Sequence, residues 1–265
     1  MYVEVITPHG FCAGVERAIR MAHELLDRTD GKVYGLHEIV HNENVVQELV
    51  SKGMVFVDSV SDVPDGATML VSAHGTSPAT FEAAKKCGIK VVDATCPFVI
   101  KGHERIRENF RNGIRTIVIG KPTHAEVLGY LGEKGACLPE DVRPGEKTGY
   151  VVQTTLDAEE HEGVCTATRD RQQAVRRFVD RQKSRGFTSS SIGVLVVGSA
   201  KSSNTGKLVD IARHEGARVW LIDGADGVEG IDFSGIEILG ITSGASTPEK
   251  LFRAVLSMEF CACIS

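Results

Sequence analysis

The chain has 265 residues, 42% apolar and 25% charged, an ordinary composition for a soluble globular protein and long enough for one large or two to three smaller domains. A formal charge of −5 argues against a nucleic-acid surface, which shows a basic excess, so an anionic ligand has to be held locally. No apolar run reaches the roughly 18 residues of a membrane span, and "MYVEVITPHG" lacks the basic and apolar regions of a secretory signal. The expected compartment is therefore the cytoplasm, where seven cysteines serve as ligands, nucleophiles or core thiols rather than disulfides.

The first chemical feature in chain order is "HGFCAGVERAIRMAHELL". Cys12 stands at the mouth of a helix predicted by Val15, Ala18, Ile19, Ala22, Leu25 and Leu26. A strand and polar loop follow in "KVYGLHEIVHN" with His41, then a strand in "MVFVDS", then another strand and loop in "TMLVSAHGTS" with His74. A helix and strand, "PATFEAAKKCGIKVVDAT", lead to Cys96, where Pro97 opens a second helix patterned by Val99, Ile100 and Ile106. The order then repeats. "RTIVIGKPTHAE" carries His124 and Glu126, "ACLPED" is a weaker strand, and "GYVVQTTL" carries Thr154 and Thr155. Only "DAEEHEGV" separates that segment from Cys165, which precedes a third helix patterned by Ala174, Val175 and Phe178. The last round holds "VLVVGSAKSSN" with Ser202, Ser203 and Asn204, "RVWLID", and "IEILGITSGAS" with Ser246.

Such repetition is more informative than any one motif. Apolar strands alternating with helices predict parallel sheets covered on both faces, with ligands outside the carboxyl ends of the strands. The expectation is an α/β protein of three lobes, 1–95, a shortened 96–164, and 165–250, with 251–265 as a helix end and tail. A pseudo-threefold arrangement of the lobes would bring Cys12, Cys96 and Cys165 to one centre.

Thiolates are favoured at helix N-termini. Structural zinc prefers four closed ligands, usually in CxxC pairs, which this trio lacks. Iron–sulfur clusters take cysteine thiolates, usually four, so three would leave one iron of a cubane open. Burial in the core competes with ligation for any single cysteine. Cys87 and Cys137 lack the helix-mouth context and read as structural, and Cys261 and Cys263 in "MEFCACIS" read as incidental. The histidines and short hydroxyl and amide side chains suit a phosphate pocket, although helix capping accounts equally for any one Ser or Asn. Glu126 is the carboxylate placed to act as a proton donor if desolvated, its alternative being a solvated helix-start glutamate.

Two motifs mislead. "HEIVH" matches a zinc-protease pattern, but it continues a predicted strand, where its histidines lie about 13 Å apart. "GSAKSSNTGK" lacks the first glycine of a phosphate loop, and Leu208 follows Lys207 where Ser or Thr belongs.

Taken together, "GFCAGVERA", "HEIVHN", "SAHGTS", "DATCPFV", "THAEVLG", "QTTL", "CTATRDRQ", "GSAKSSN" and "GAS" resemble the LytB-type 4-hydroxy-3-methylbut-2-enyl diphosphate reductases, in that family's order, from residue 10 to about 250. The resemblance implies a cloverleaf of three α/β lobes around a [4Fe–4S] cluster with three cysteine ligands, Cys12, Cys96 and Cys165, and one open iron. It implies diphosphate contacts from His41, His74, His124, Ser202, Ser203, Asn204 and Ser246. Glu126 matches the proton-delivering acid, and Thr154 and Thr155 match hydroxyls near the substrate alcohol. The implied reaction removes an allylic hydroxyl reductively, giving isopentenyl and dimethylallyl diphosphates, with ferredoxin or flavodoxin as electron donor and with no nucleic-acid or membrane partner. The chain departs from the family in the short segment before Cys165, in Ala125 where proline is common, and in its short tail. Two alternatives stand beside the reductase: a diverged non-catalytic or regulatory iron–sulfur protein on the same fold, and an unrelated phosphate-binding or zinc protein.

Overall fold

A computed structural model describes residues 1–258; Cys261 and Cys263 lie outside the described residues. In chain order the elements are β1 (Tyr2–Val5), α1 (Ala13–Arg28), β2 (Val33–Leu36), α2 (Glu43–Ser51), β3 (Met54–Val57), β4 (Thr68–Val71), α3 (Pro78–Lys86) and β5 (Lys90–Asp93). They continue with α4 (Pro97–Arg111), β6 (Arg115–Ile119), α5 (Ala125–Leu131), β7 (Ala136–Cys137) and β8 (Thr148–Val152). The last are α6 (Thr166–Ser184), β9 (Ile192–Val197), α7 (Ser203–His214), β10 (Arg218–Ile222), β11 (Ile238–Ser243) and α8 (Glu249–Leu256). Helix starts follow local chemistry. Asn42, Ser77 and Ser202 accept backbone N–H bonds at the heads of α2, α3 and α7, and Pro78 and Pro97 occupy first-turn positions that need no donor.

The elements form three parallel sheets, ordered β3-β2-β4-β5, β7-β6-β8 and β1-β11-β9-β10. The chain divides into two compact units. One holds Ala13–Thr154 with His161–Gly163, and so contains the first two sheets. The other holds Met1–Cys12, Thr155–Glu160 and the chain from Val164 onward, and contains the third.

In the second of these units the sheet is buried on both faces, which accounts for the unbroken apolar run of β9. Val194 and Val196 pack with Val175, Phe178 and Leu208 of α6 and α7, while Leu195 and Val197 pack with Phe252 and Val255 of α8. Although β1 opens the chain, its partner is β11, in register from Tyr2 opposite Ile238 to Val5 opposite Ile241. The segment 1–95 drawn from sequence therefore contributes its first strand to the third sheet.

In the other unit, Leu36, Met69 and Val71 pack against Ala84 of α3, and Val118 and Val151 pack against Val99 and Ile106 of α4 and Val127 and Tyr130 of α5. Among the described residues the second sheet has three strands where the other two have four. The strand missing is the one that β5 supplies to the first sheet, and the residues between β8 and α6 form turns without helix or strand. "HEIVH" differs from expectation: β2 stops at Leu36, because His37 adopts a left-handed backbone at φ 58°, and residues 37–41 form a bent loop rather than more strand. The two histidines still share no helix face.

Candidate functional site

The first two sheets are built outward in both directions from their first strands, β2 and β6, and the third from β9, so the chain reverses direction across each sheet beside that strand. In open parallel sheets, loops leaving the carboxyl ends on either side of such a reversal diverge and leave a crevice between them. The reversals fall between β2 and β4, between β6 and β8, and between β9 and β11. The paired strands end level: Leu36 opposite Val71, Ile119 opposite Val152, and Val197 opposite Ser243. The loops leaving those six strand ends carry His41 and His74, His124 and Thr154, and Ser202 and Ser246. The polar residues singled out by repetition thus occupy the topologically equivalent crevice of all three sheets.

In the unit that holds the first two sheets, three histidines meet. The rings of His41 and His74 stack at 4.3 Å, and His124 meets them edge-on at 5.6 and 5.5 Å. One ring nitrogen from each lies within 4.8 Å of the others, close enough for the trio to converge on a phosphate or a metal ion. Burial, followed by the other histidines, holds His74 well below the usual histidine pKa, and burial lowers His124 to about 4. Both are uncharged at neutral pH. His124 caps α5, its Nδ1 accepting the Glu126 N–H at 3.2 Å, which leaves the ring proton on Nε2.

Glu126 follows in the first turn of α5 and is 2% exposed. Its Oε1 accepts the Thr154 N–H at 2.8 Å and the Tyr130 hydroxyl at 3.2 Å, and its Oε2 accepts the Thr154 hydroxyl at 2.9 Å. Burial outweighs these three bonds and raises its pKa to about 7. A carboxyl so poised exchanges a proton readily near neutral pH. Cys96, in the same unit, is a thiol outside any disulfide at the N-cap of α4 and bonds through its N–H to the carbonyl of Ala73, one residue before His74.

The other unit holds Cys12 and Cys165, both half-buried thiols outside any disulfide, and the hydroxyl and amide groups predicted with them. Cys12 directly precedes α1, and Cys165 is the N-cap of α6. A continuous set of bonds joins their surroundings. Gly10, at φ 70°, donates to Ser243 Oγ at 2.7 Å, and Cys12 donates to the carbonyl of Ala245 at 3.1 Å. Ala245 donates to Asn204 Oδ1 at 3.0 Å, Asn204 Nδ2 donates to Thr168 Oγ1 at 3.1 Å, and that hydroxyl lies 3.2 Å from Cys165 Sγ. Ser202 caps α7, and Ser203 Oγ accepts the hydroxyl of Thr155 at 3.0 Å. Ser246 is buried at the end of the β11 loop.

Three contributors escaped the sequence analysis: Tyr130, which holds Glu126; Thr168, which links Asn204 to Cys165; and Arg171, described below. Tyr130 sits four residues after Glu126 and Thr168 three after Cys165, spacings that face each other on a helix and that were open to inspection.

A family model described as LytB protein matches residues 3–258. A 4-hydroxy-3-methylbut-2-enyl diphosphate reductase of Aeromonas hydrophila subsp. hydrophila is 37% identical over 97% of this chain and 90% of its own length, and a reductase of the same description from Pseudomonas aeruginosa is also 37% identical with the same coverage. The first alignment runs over 289 residues, more than the 265 present here, so that relative carries segments this chain lacks. Among solved structures, the E-1-hydroxy-2-methyl-but-2-enyl-4-diphosphate reductase of Plasmodium falciparum superposes with a TM-score of 0.87 at 30% identity, over 96% of this chain and 86% of that one. A second, described as (E)-4-hydroxy-3-methyl-but-2-enyl diphosphate reductase, the terminal enzyme of the non-mevalonate pathway, gives 0.68 at 30% identity, covering 97% and 98%.

Proposed function

Because this chain belongs to the LytB protein family, we propose that it catalyses the reductive dehydroxylation of 4-hydroxy-3-methylbut-2-enyl diphosphate. The allylic alcohol takes up two electrons and two protons, the C–O bond breaks, and water leaves with isopentenyl or dimethylallyl diphosphate as product. The single observation that carries the reading is Glu126, buried beside the histidine trio with a pKa near 7 and clamped by Thr154.

The donor set suits an iron–sulfur group. Cys12, Cys96 and Cys165 are unoxidised thiols at helix starts, where negative charge on sulfur is favoured, and none has a CxxC neighbour to make a structural zinc site. These three residues would hold a [4Fe–4S] cluster with one iron left open. Bound there, such a group supplies the electrons and a Lewis acid for the leaving hydroxyl. Ferredoxin or flavodoxin would reduce it.

The protein's own groups do the rest. Neutral His74 and His124 donate ring N–H bonds to the diphosphate without adding formal charge, which is consistent with binding an anion in a chain of net charge −5. Ser202, Ser203, Asn204, Ser246 and His41 complete the diphosphate contacts. Glu126, protonated in about half the molecules near pH 7, gives its proton to the departing oxygen, and Thr154, bonded to both carboxyl oxygens, holds the carboxyl in one orientation. Thr155 supports the substrate alcohol beside it. No helix among the described residues is long and apolar enough to cross a membrane.

The three-stranded second sheet favours one competing reading, a diverged iron–sulfur protein without catalysis. Such a protein has no use for a desolvated acid. Anaerobic reconstitution with iron and sulfide counts, followed by a reductase assay on the same sample, separates the two. Iron-loaded, active protein is expected. Loaded but inert protein supports the competitor, and colourless, iron-free protein refutes both.

A further inference from the structure

The catalytic groups leave one buried cation without a task. Arg171 lies on α6 and is 4% exposed, a rare position for a guanidinium. Its Nη1 donates to the carbonyl of Ala167 at 2.9 Å, and its Nη2 donates to the carbonyl of Gly10 at 2.8 Å. Ala167 is two residues past Cys165 and Gly10 two residues before Cys12. One side chain therefore ties together the two backbone segments that carry these thiols.

The remaining donor is the telling one. Nε is buried and has no hydrogen-bond partner among the described residues. A charged donor left buried and unpaired is costly, so a native structure that keeps one calls for an explanation. Both bonds that Arg171 does make go to neutral carbonyls, not to a carboxylate. Burial works against its charge, and its two Nη donors reach only the backbone segments that lead to Cys12 and Cys165.

The geometry points to Arg171 as a positioning residue that locks the Cys12 and Cys165 segments together and sets a fixed positive charge beside their sulfurs, raising the reduction potential of the iron–sulfur group held there. The inference rests on the proposed iron–sulfur reading. Its physical basis is general: adding an electron to an anionic cluster is easier next to a cation, and net charge and hydrogen bonds to the sulfurs are the terms a protein uses to set cluster potential. A terminal reductive step needs an electron-rich cluster that its donor can still reduce, and a buried arginine whose charge cannot be titrated away is suited to that balance.

The test compares wild type, Arg171→Gln and Arg171→Lys after anaerobic reconstitution, by iron and sulfide counts, thermal midpoint and an anaerobic redox titration followed by the cluster spectrum. Arg171→Gln should shift the reduction equilibrium about tenfold toward the oxidised form, about 59 mV for a one-electron couple. Arg171→Lys, which keeps the charge, should restore most of that shift. Iron loss in Arg171→Gln at an unchanged thermal midpoint, reversed by lysine, equally supports the inference. A loaded Arg171→Gln protein at the wild-type potential overturns it, as does a collapsed midpoint in both variants, which reduces Arg171 to a structural clamp. Wild type that takes up no iron removes the iron–sulfur reading itself, an outcome visible before either variant is measured.

Discussion

Replacing Glu126 by Gln tests the acid through stability as well as turnover. The carboxyl titrates at about 7 when folded against an ordinary 4.5, a gap worth roughly 3 kcal/mol. Below pH 4.5 the group is protonated in both folded and unfolded chains and costs nothing. As pH rises from 4.5 towards 7, the unfolded chain releases the proton while the folded chain retains it, so folded stability falls. Above about 7 the whole penalty of a buried carboxylate is present. Gln carries no charge, keeps an oxygen for the Thr154 N–H and meets the Thr154 hydroxyl with an amide donor, so it escapes this dependence. Urea unfolding of both proteins between pH 4.5 and 8.5 should show Glu126→Gln gaining on wild type by about 3 kcal/mol across the range. Turnover should fall by roughly 10² to 10⁴ while iron content holds, the usual loss for a general acid. Wild-type kcat should decline about tenfold per pH unit above 7. Parallel stability curves for the two proteins would refute the desolvated acid, whatever the rates did.

Tyr130→Phe removes the hydroxyl that donates to Glu126 Oε1, so the carboxyl pKa should climb and the alkaline limb of the kcat profile should move up by roughly one pH unit. His74→Ala deletes the half-buried partner that stacks on His41, and a lost hydrogen bond to a charged phosphate should raise KM by about 10- to 100-fold with a smaller change in kcat, read by steady-state kinetics. Gly240→Ala would place a Cβ 2.6 Å from both Ile6 Cδ1 and Phe178 Cε1 in the middle of β11, and overpacking there should cost about 1–3 kcal/mol in chemical denaturation. An unchanged midpoint would show that Phe178 yields more easily than its burial suggests.

Local pattern carried most of this fold. Helices begin where Cys96, Cys165 and Ser202 stand because a proline, a short side chain or a change of period marks each start, and the six strand-end loops are legible because the same order recurs three times. Longer-range facts were not legible. Nothing in "YVEV" says that its partner is ILGITS rather than "VYGL", since alternation along a strand is silent about its neighbour. "HEIVH" misled because one residue in the left-handed region ends a strand that composition would extend. Arg171 was missed for a related reason. In "TRDRQQAVRRF" four arginines crowd one helix, and only packing decides which of them turns inward. Tyr130 drew no reading from sequence, because its hydroxyl contact depends on where Glu126 points.

The pairing of β1 with β11 also bears on how this protein comes into being. On the ribosome, residues 2–5 emerge ahead of residues 238–243 by roughly ten to fifty seconds at ordinary translation rates, and until then the opening strand has no proper neighbour. The unit spanning Ala13–Thr154 contains both of its own sheets and can condense in the interval. Even afterwards β1 stays at the rim of its sheet, with Tyr2 74% exposed. Glu4, tethered to Arg181 and Gln182 of α6, sets a charge in the middle of that strand, a safeguard against capture by another nascent chain.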